Sequence, residues 1–170
     1  MSEHPGPPLH AAVQPLAFLL GTWRGTGVGS YPTIEDFGYV EEVTFGHVGK
    51  PFLAYAQRTR HAETDLPLHA ETGYWRPGEV IGEAGTVVVE IVLAHPTGLL
   101  ESLSGTFTPT EGGGVFELTC PAVLATATAV DVSATERRIT VDGDTLTYEL
   151  AMAAVGQPMT HHLAATLTRA

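Results

Sequence analysis

Short runs rich in β-branched and aromatic residues follow one another along almost the whole chain, each ended by glycine, proline or aspartate, at a spacing of roughly 8–12 residues. That rhythm leaves almost no room for helices. Thr86–Ala94 (TVVVEIVLA), bounded by Gly85 and by His95-Pro96-Thr97-Gly98, is the clearest strand. Thr22–Gly29, Phe37–His47, Pro51–Arg60, Leu68–Arg76, Leu99–Thr108 and Val115–Cys120 read the same way, as do Thr126–Val141, Thr145–Val155 and His161–Arg169. GEVIGEAG after Arg76 reads as a turn region, and Asp142-Gly143-Asp144 is a hairpin signal. About ten strands with hairpin-length connections imply an all-β chain, either a sandwich or a closed barrel. Sequential connections favour a ten-stranded antiparallel up-and-down β-barrel, because closure removes both exposed sheet edges. One short helical turn is expected at Val13–Leu20, after a loose tail over residues 1–12, so that 13–170 form a single barrel domain.

Such a barrel is wider than the eight-stranded kind that side chains fill alone, so the sequence predicts a container. Its contents are constrained by charge. The chain carries a net −11, with Lys50 its one lysine, which argues against nucleic acid and anionic membranes as partners. No apolar run approaches the roughly 20 residues needed to span a bilayer. The single cysteine, Cys120, forms no internal disulfide and fits a reducing compartment, so a cytoplasmic location is expected. A small-molecule ligand is the remaining class. The oligomeric form is open, with a homodimer among the options.

Eight histidines are the obvious metal-binding candidates. His4 and His10 lie in the tail, His61 precedes a polar turn, and His95 sits in a turn before Pro96; these four read as solvent-exposed. His47 ends a strand and reads as structural, and no pair has zinc-hydrolase spacing. His161 and His162 open the last strand, where neighbours point to opposite faces. Alternation alone puts His161 inward with Leu163 and Leu167, and does not settle the choice. Met152 shares an apolar face with Tyr148 and Leu150 and is expected to point inward.

Gly21-Thr22-Trp23-Arg24-Gly25-Thr26-Gly27, followed by Tyr31-Pro32-Thr33-Ile34, resembles the GxWxGxG signature and YPTI run of the nitrobindin family. The likeness continues through His47-Val48-Gly49-Lys50-Pro51, Pro67-Leu68-His69-Ala70-Glu71 and Ala94-His95-Pro96-Thr97-Gly98, and ends in Val155-Gly156-Gln157-Pro158 and His162-Leu163. The resemblance implies a barrel of the lipocalin or fatty-acid-binding-protein kind that holds one haem b per chain at its mouth. It also implies ferric-haem isomerisation of peroxynitrite to nitrate, and binding of nitric oxide. It places the axial iron ligand at His162, which requires an irregular start to the last strand. Thr33, Leu68 and Met152 resemble haem contacts, and His69 occupies the place of a distal, catalytic-side histidine. Trp23 is expected to plug the barrel end, while Gly25, Gly27 and Gly29 bare one strand face for a close approach. The alternative is a non-catalytic carrier of an apolar ligand, or a nitric oxide carrier or sensor, in the same cavity.

Overall fold

A computed structural model describes residues 6–170, so His4 lies outside the described residues. A 3₁₀ helix, Ala11–Leu19, leads into eleven strands. They are β1 (Gly21–Tyr31), β2 (Ile34–Gly46), β3 (Leu53–His61), β4 (Pro67–Ile81), β5 (Thr86–Ala94) and β6 (Leu99–Thr110), then β7 (Gly113–Cys120), β8 (Leu124–Ala125), β9 (Val132–Asp142), β10 (Thr145–Ala154) and β11 (Thr160–Arg169). Ten of them form one antiparallel ladder in which each pairs with its neighbours in the chain, and β5 pairs with β6. β11 returns to β1, with Trp23 opposite Arg169 and Gly29 opposite Leu163, so the ladder closes as an up-and-down barrel. β8 is an extra two-residue strand on β6, with Leu100 opposite Leu124.

Two boundaries differ from the sequence reading by more than three residues. The strand expected from Thr126 begins only at Val132, because Thr126 docks on the β5–β6 turn, donating its N–H to the Gly98 carbonyl at 2.9 Å. β4 continues past Pro77 to Ile81, and a register shift between Pro77 and Val80 absorbs the missing proline N–H.

One end of the barrel is sealed. Val13, Leu16 and Leu19 recur every third residue, the period of a 3₁₀ helix, and all three are fully buried. Ahead of the helix, Leu9 packs against the same core. Trp23 is buried beside them and donates from Nε1 to the Leu19 carbonyl at 2.8 Å. Arg169 lies 4.3 Å from the centre of the Trp23 ring and donates to the Phe18 and Leu20 carbonyls at the helix end. Helix, first strand and last strand are thus tied at one point. Above this plug, Phe45, Trp75, Phe107, Phe116 and Leu118 fill the lower barrel.

Halfway up, the inward positions turn polar. Glu41 on β2 accepts from Gln57 on β3 at 3.0 Å and from Tyr148 on β10 at 2.8 Å. Tyr148, donating to Glu41, accepts in turn from the Tyr39 hydroxyl at 2.8 Å. Burial pushes the Glu41 carboxyl up to about 7, against the lowering effect of the hydrogen bonds from Tyr148 and Gln57. Burial likewise drives both tyrosines above their usual value, with Glu41 raising them further.

Two consequences are measurable. Trp23→Ala removes the plug and is expected to cost about 3–5 kcal/mol in urea unfolding; a loss below 1 kcal/mol would deny the plug its role. A carboxyl whose folded pKa lies above its unfolded value binds its proton more tightly when folded, so stability falls as pH rises between 4.5 and 7. Glu41→Gln is expected to remove up to about 3 kcal/mol of that decline. Parallel pH profiles for wild type and variant would contradict it.

Candidate functional site

A cavity of about 350 Å³ runs from the mouth past the polar layer as far as Phe45 and Trp75. Ile34 and Leu68 line it while remaining 49% and 42% exposed, so it opens to solvent at the end opposite the plug. Phe37, Met152 and Leu163 complete an apolar wall. Arg137 is the one Arg or Lys among the lining residues, and it lies in the polar layer.

A strand of strict period 2 cannot turn two consecutive residues into one cavity, yet this mouth does so twice. In β10–β11 the register runs Leu150 to Leu163 and then Ala151 to His161, leaving His162 as an extra, unpaired residue. In β3–β4 it runs Thr59 to His69 and then Arg60 to Pro67, leaving Leu68 extra. The two bulges bring His162 beside Leu163 and Leu68 beside His69 into the cavity lining. Simple alternation, which puts His161 inward, fails for this reason. His161 is exposed on the outer face.

The His162 ring is held from three sides. Its Nδ1 lies 3.1 Å from the Ser30 carbonyl. A carbonyl only accepts, so Nδ1 carries the hydrogen and Nε2 keeps a bare lone pair. Tyr31 meets the ring edge-on at 5.5 Å between centroids, and Phe37 at 6.4 Å. Tyr31 is itself pinned to β10, donating to the Met152 carbonyl and accepting from the Ala154 N–H, each at 3.1 Å. Burial lowers the His162 pKa, the Ser30 contact opposes this and His161 adds to it, so the imidazole is neutral at neutral pH.

The signature glycines serve the same wall. A Cβ on Gly27 would lie 2.2 Å from the Tyr39 ring, and one on Gly25 would lie 2.0 Å from the Thr166 carbonyl oxygen of β11. Bare positions on β1 therefore let β2 lay its aromatic rings across that strand. Gly21 opens β1 with a left-handed backbone, φ +113°. Thr33 sits in the exposed β1–β2 turn and does not line the cavity, where its neighbour Ile34 takes that position. Met152 lines the wall as expected.

Across the cavity His69 Nε2 meets His95 Nδ1 at 3.0 Å. This corrects the reading of His95 as exposed: its side chain is 5% exposed, folded inward from the mouth turn. His95 Nε2 lies 3.0 Å from Glu101 Oε1, poorly aligned for a hydrogen bond. Behind the pair, Arg137 donates to both oxygens of Glu71 at 2.7 and 3.0 Å and to Glu101 at 2.7 Å. Burial would raise both carboxyls, but Arg137 dominates the outcome. With His95 and Tyr55 it holds Glu71 below its ordinary value, and with His95 and Thr135 it holds Glu101 at about 2. Burial, the leading cause, lowers the His69 pKa, so that ring too is neutral at neutral pH. His10, His47 and His61 instead accept from nearby backbone N–H groups.

Sequence reasoning missed Ser30, Tyr31, Phe37 and the whole Arg137 cluster. The cluster had a signal. Glu71 shares a strand face with Trp75, Glu101 falls between Leu99 and Leu103, and Arg137 between Thr135 and Ile139. Each is a charge on a face that alternation assigns to the interior.

A bare imidazole nitrogen in an apolar-walled, open mouth fits a flat metalloporphyrin better than a ligand that must be fully enclosed. Comparison with known proteins points the same way. The sequence model described as "THAP4-like, heme-binding beta-barrel domain" matches residues 12–169. The chain is 50% identical to the peroxynitrite isomerase of Nocardia farcinica over 165 residues, covering 97% of this chain and 95% of that protein. It is 50% identical to peroxynitrite isomerase 2 of Mycobacterium marinum over 164 residues, covering 95% and 96%. The crystal structure of Rv2717c from M. tuberculosis superposes with a TM-score of 0.88 at 47% identity, covering 96% of this chain and 99% of that one. A phycobiliprotein lyase from Guillardia theta, at 13% identity and a TM-score of 0.52, shares the fold alone. The chain belongs to the THAP4-like haem-binding β-barrel family, the nitrobindins.

Proposed function

We propose that this protein is a haem-dependent peroxynitrite isomerase whose iron is held by His162. The observation that carries the reading is the Nδ1–H bond to Ser30, which leaves Nε2 as a free donor in the cavity lining. One haem b per chain fits the single such imidazole on β11. When bound, the haem iron supplies the bond rearrangement that converts peroxynitrite to nitrate.

The chain's own residues do the rest. The Ser30 carbonyl, by accepting from Nδ1, fixes the tautomer and makes Nε2 a better donor. Tyr31 and Phe37 set the ring plane, so the ligand is preorganised. Phe37, Leu68, Met152 and Leu163 offer apolar contact to a macrocycle and exclude water from its faces. Neutral His69, half-buried on the facing wall, supplies a polar contact to a small anionic or diatomic ligand, and nitric oxide would enter by the same mouth. Arg137, in the polar layer, is the one Arg or Lys lining the cavity, so propionates would be directed to solvent. A free, buried Cys120 is compatible with a cytoplasmic setting.

His162→Ala is expected to abolish the Soret band that hemin gives with the full-length protein, and His161→Ala to leave it intact. The reverse pattern moves the ligand to His161. Stopped-flow decay of peroxynitrite is expected to accelerate in proportion to ferric protein. A rate no better than free hemin would remove the catalytic assignment.

A further inference from the structure

Beyond the haem reading, and sharing with it His69 but not His162, we propose that His69, Glu71 and His95 form a second metal site for a divalent first-row transition ion such as Zn²⁺. His69 Nε2 and His95 Nδ1 point at each other at 3.0 Å, and Glu71 Oε2 lies 3.6 Å from His95 Nδ1. All three donor atoms fall within 4.8 Å of one another. Ligands about 2.0–2.1 Å from a tetrahedral ion sit roughly 3.3 Å apart, so two of the contacts already match. Two imidazoles and one carboxylate are a borderline donor set, suited to zinc, cobalt or iron rather than calcium or magnesium.

The support behind each donor distinguishes this cluster from a chance grouping. A histidine that bonds a metal through one nitrogen hands the N–H of the other to an acceptor, commonly a carboxylate. His95 has Glu101 Oε1 at 3.0 Å from its Nε2, a buried nitrogen with no other partner. A small rotation of the ring aligns it. Glu101 is fixed in turn by Arg137 and Thr135, and Glu71 by Arg137 and Tyr55. Each of these two donors therefore has an oriented second partner.

Charge asks for the same thing. Glu71 and Glu101 share the polar layer with Arg137 as its one Arg or Lys. Without a metal, a hydrogen between His69 and His95 holds the two rings together; an ion replaces that hydrogen and offsets the surplus of carboxylates. Three protein donors leave a fourth position open to the cavity, where water or a small anion would complete the sphere.

The test equilibrates full-length protein, with and without hemin, against Zn²⁺, passes it into metal-free buffer, and measures zinc by atomic emission and affinity by chelator competition. About one zinc per chain is expected in both forms. His69→Gln and His95→Gln are each expected to weaken binding on the order of a hundredfold. His162→Ala is expected to keep zinc while losing hemin, which separates this site from the haem reading. Wild type without zinc, or zinc retained in both glutamine variants, would overturn the proposal. Should His95→Gln not fold, His69→Gln decides alone, since that ring lies at the cavity surface.

Discussion

Closure of the ladder governs everything inside it. With β11 hydrogen-bonded to β1 and β5 to β6, an inward side chain has no path to water except through the mouth. Polar groups below the mouth must therefore satisfy one another. The same burial then acts in opposite directions on neighbouring carboxyls. Glu41, with neutral hydrogen-bond donors, is pushed up to about 7, whereas Glu101, with Arg137 against it, is held at about 2. Which carboxyl ionises is decided by the reach of one guanidinium. Breaking that pair by removing Arg137 would strand two buried negative charges, a change that typically costs several kcal/mol.

Regular pairing and a functional mouth are in conflict, and the chain resolves the conflict by position. Toward the plugged end β1–β11 and β3–β4 run in register, and alternation separates core from surface. Toward the mouth each of β4 and β11 carries one extra residue, Leu68 and His162. A bulge sacrifices a pair of ladder hydrogen bonds to re-aim a side chain. That cost is tolerable at the open rim, where water can replace the lost partners. The Ser30 carbonyl then takes the His162 N–H, so the displaced imidazole gains a fixed orientation.

This division also explains what was legible in the sequence. The ten strands, their order and the cavity follow from turn spacing and period-2 patterning, which report regular pairing. The choice between His161 and His162 does not, because a one-residue bulge leaves no mark in an apolar/polar pattern; family resemblance, not periodicity, singled out His162. His95 was hidden for a related reason. A histidine in a Pro-Gly turn reads as exposed, whereas its ring lies inward against His69, Glu71 and Glu101. Thr126–Val130 misled in the opposite sense, since alternating Thr and Ala resembles a strand, whereas the segment turns, Ala129 donating its N–H to the Thr126 carbonyl at 3.1 Å. The buried charges were visible as interruptions on inward faces, though their mutual pairing is a product of closure.

The polar layer also bears on which ligands the cavity accepts. An apolar acid carried head-first would bring a carboxylate to a layer that already holds Glu41, Glu71 and Glu101. Arg137 is engaged by two of them, leaving only its Nε without a partner. Binding such a head group would mean breaking an existing ion pair in a site shielded from water, where like charges repel most strongly. A flat ligand that keeps its carboxylates at the rim meets no such penalty, and it finds a donor nitrogen on β11 and apolar walls at Phe37, Leu68 and Met152. The charge balance inside the barrel therefore disfavours a fatty-acid carrier independently of any family likeness, and favours a ligand whose polar edge faces solvent.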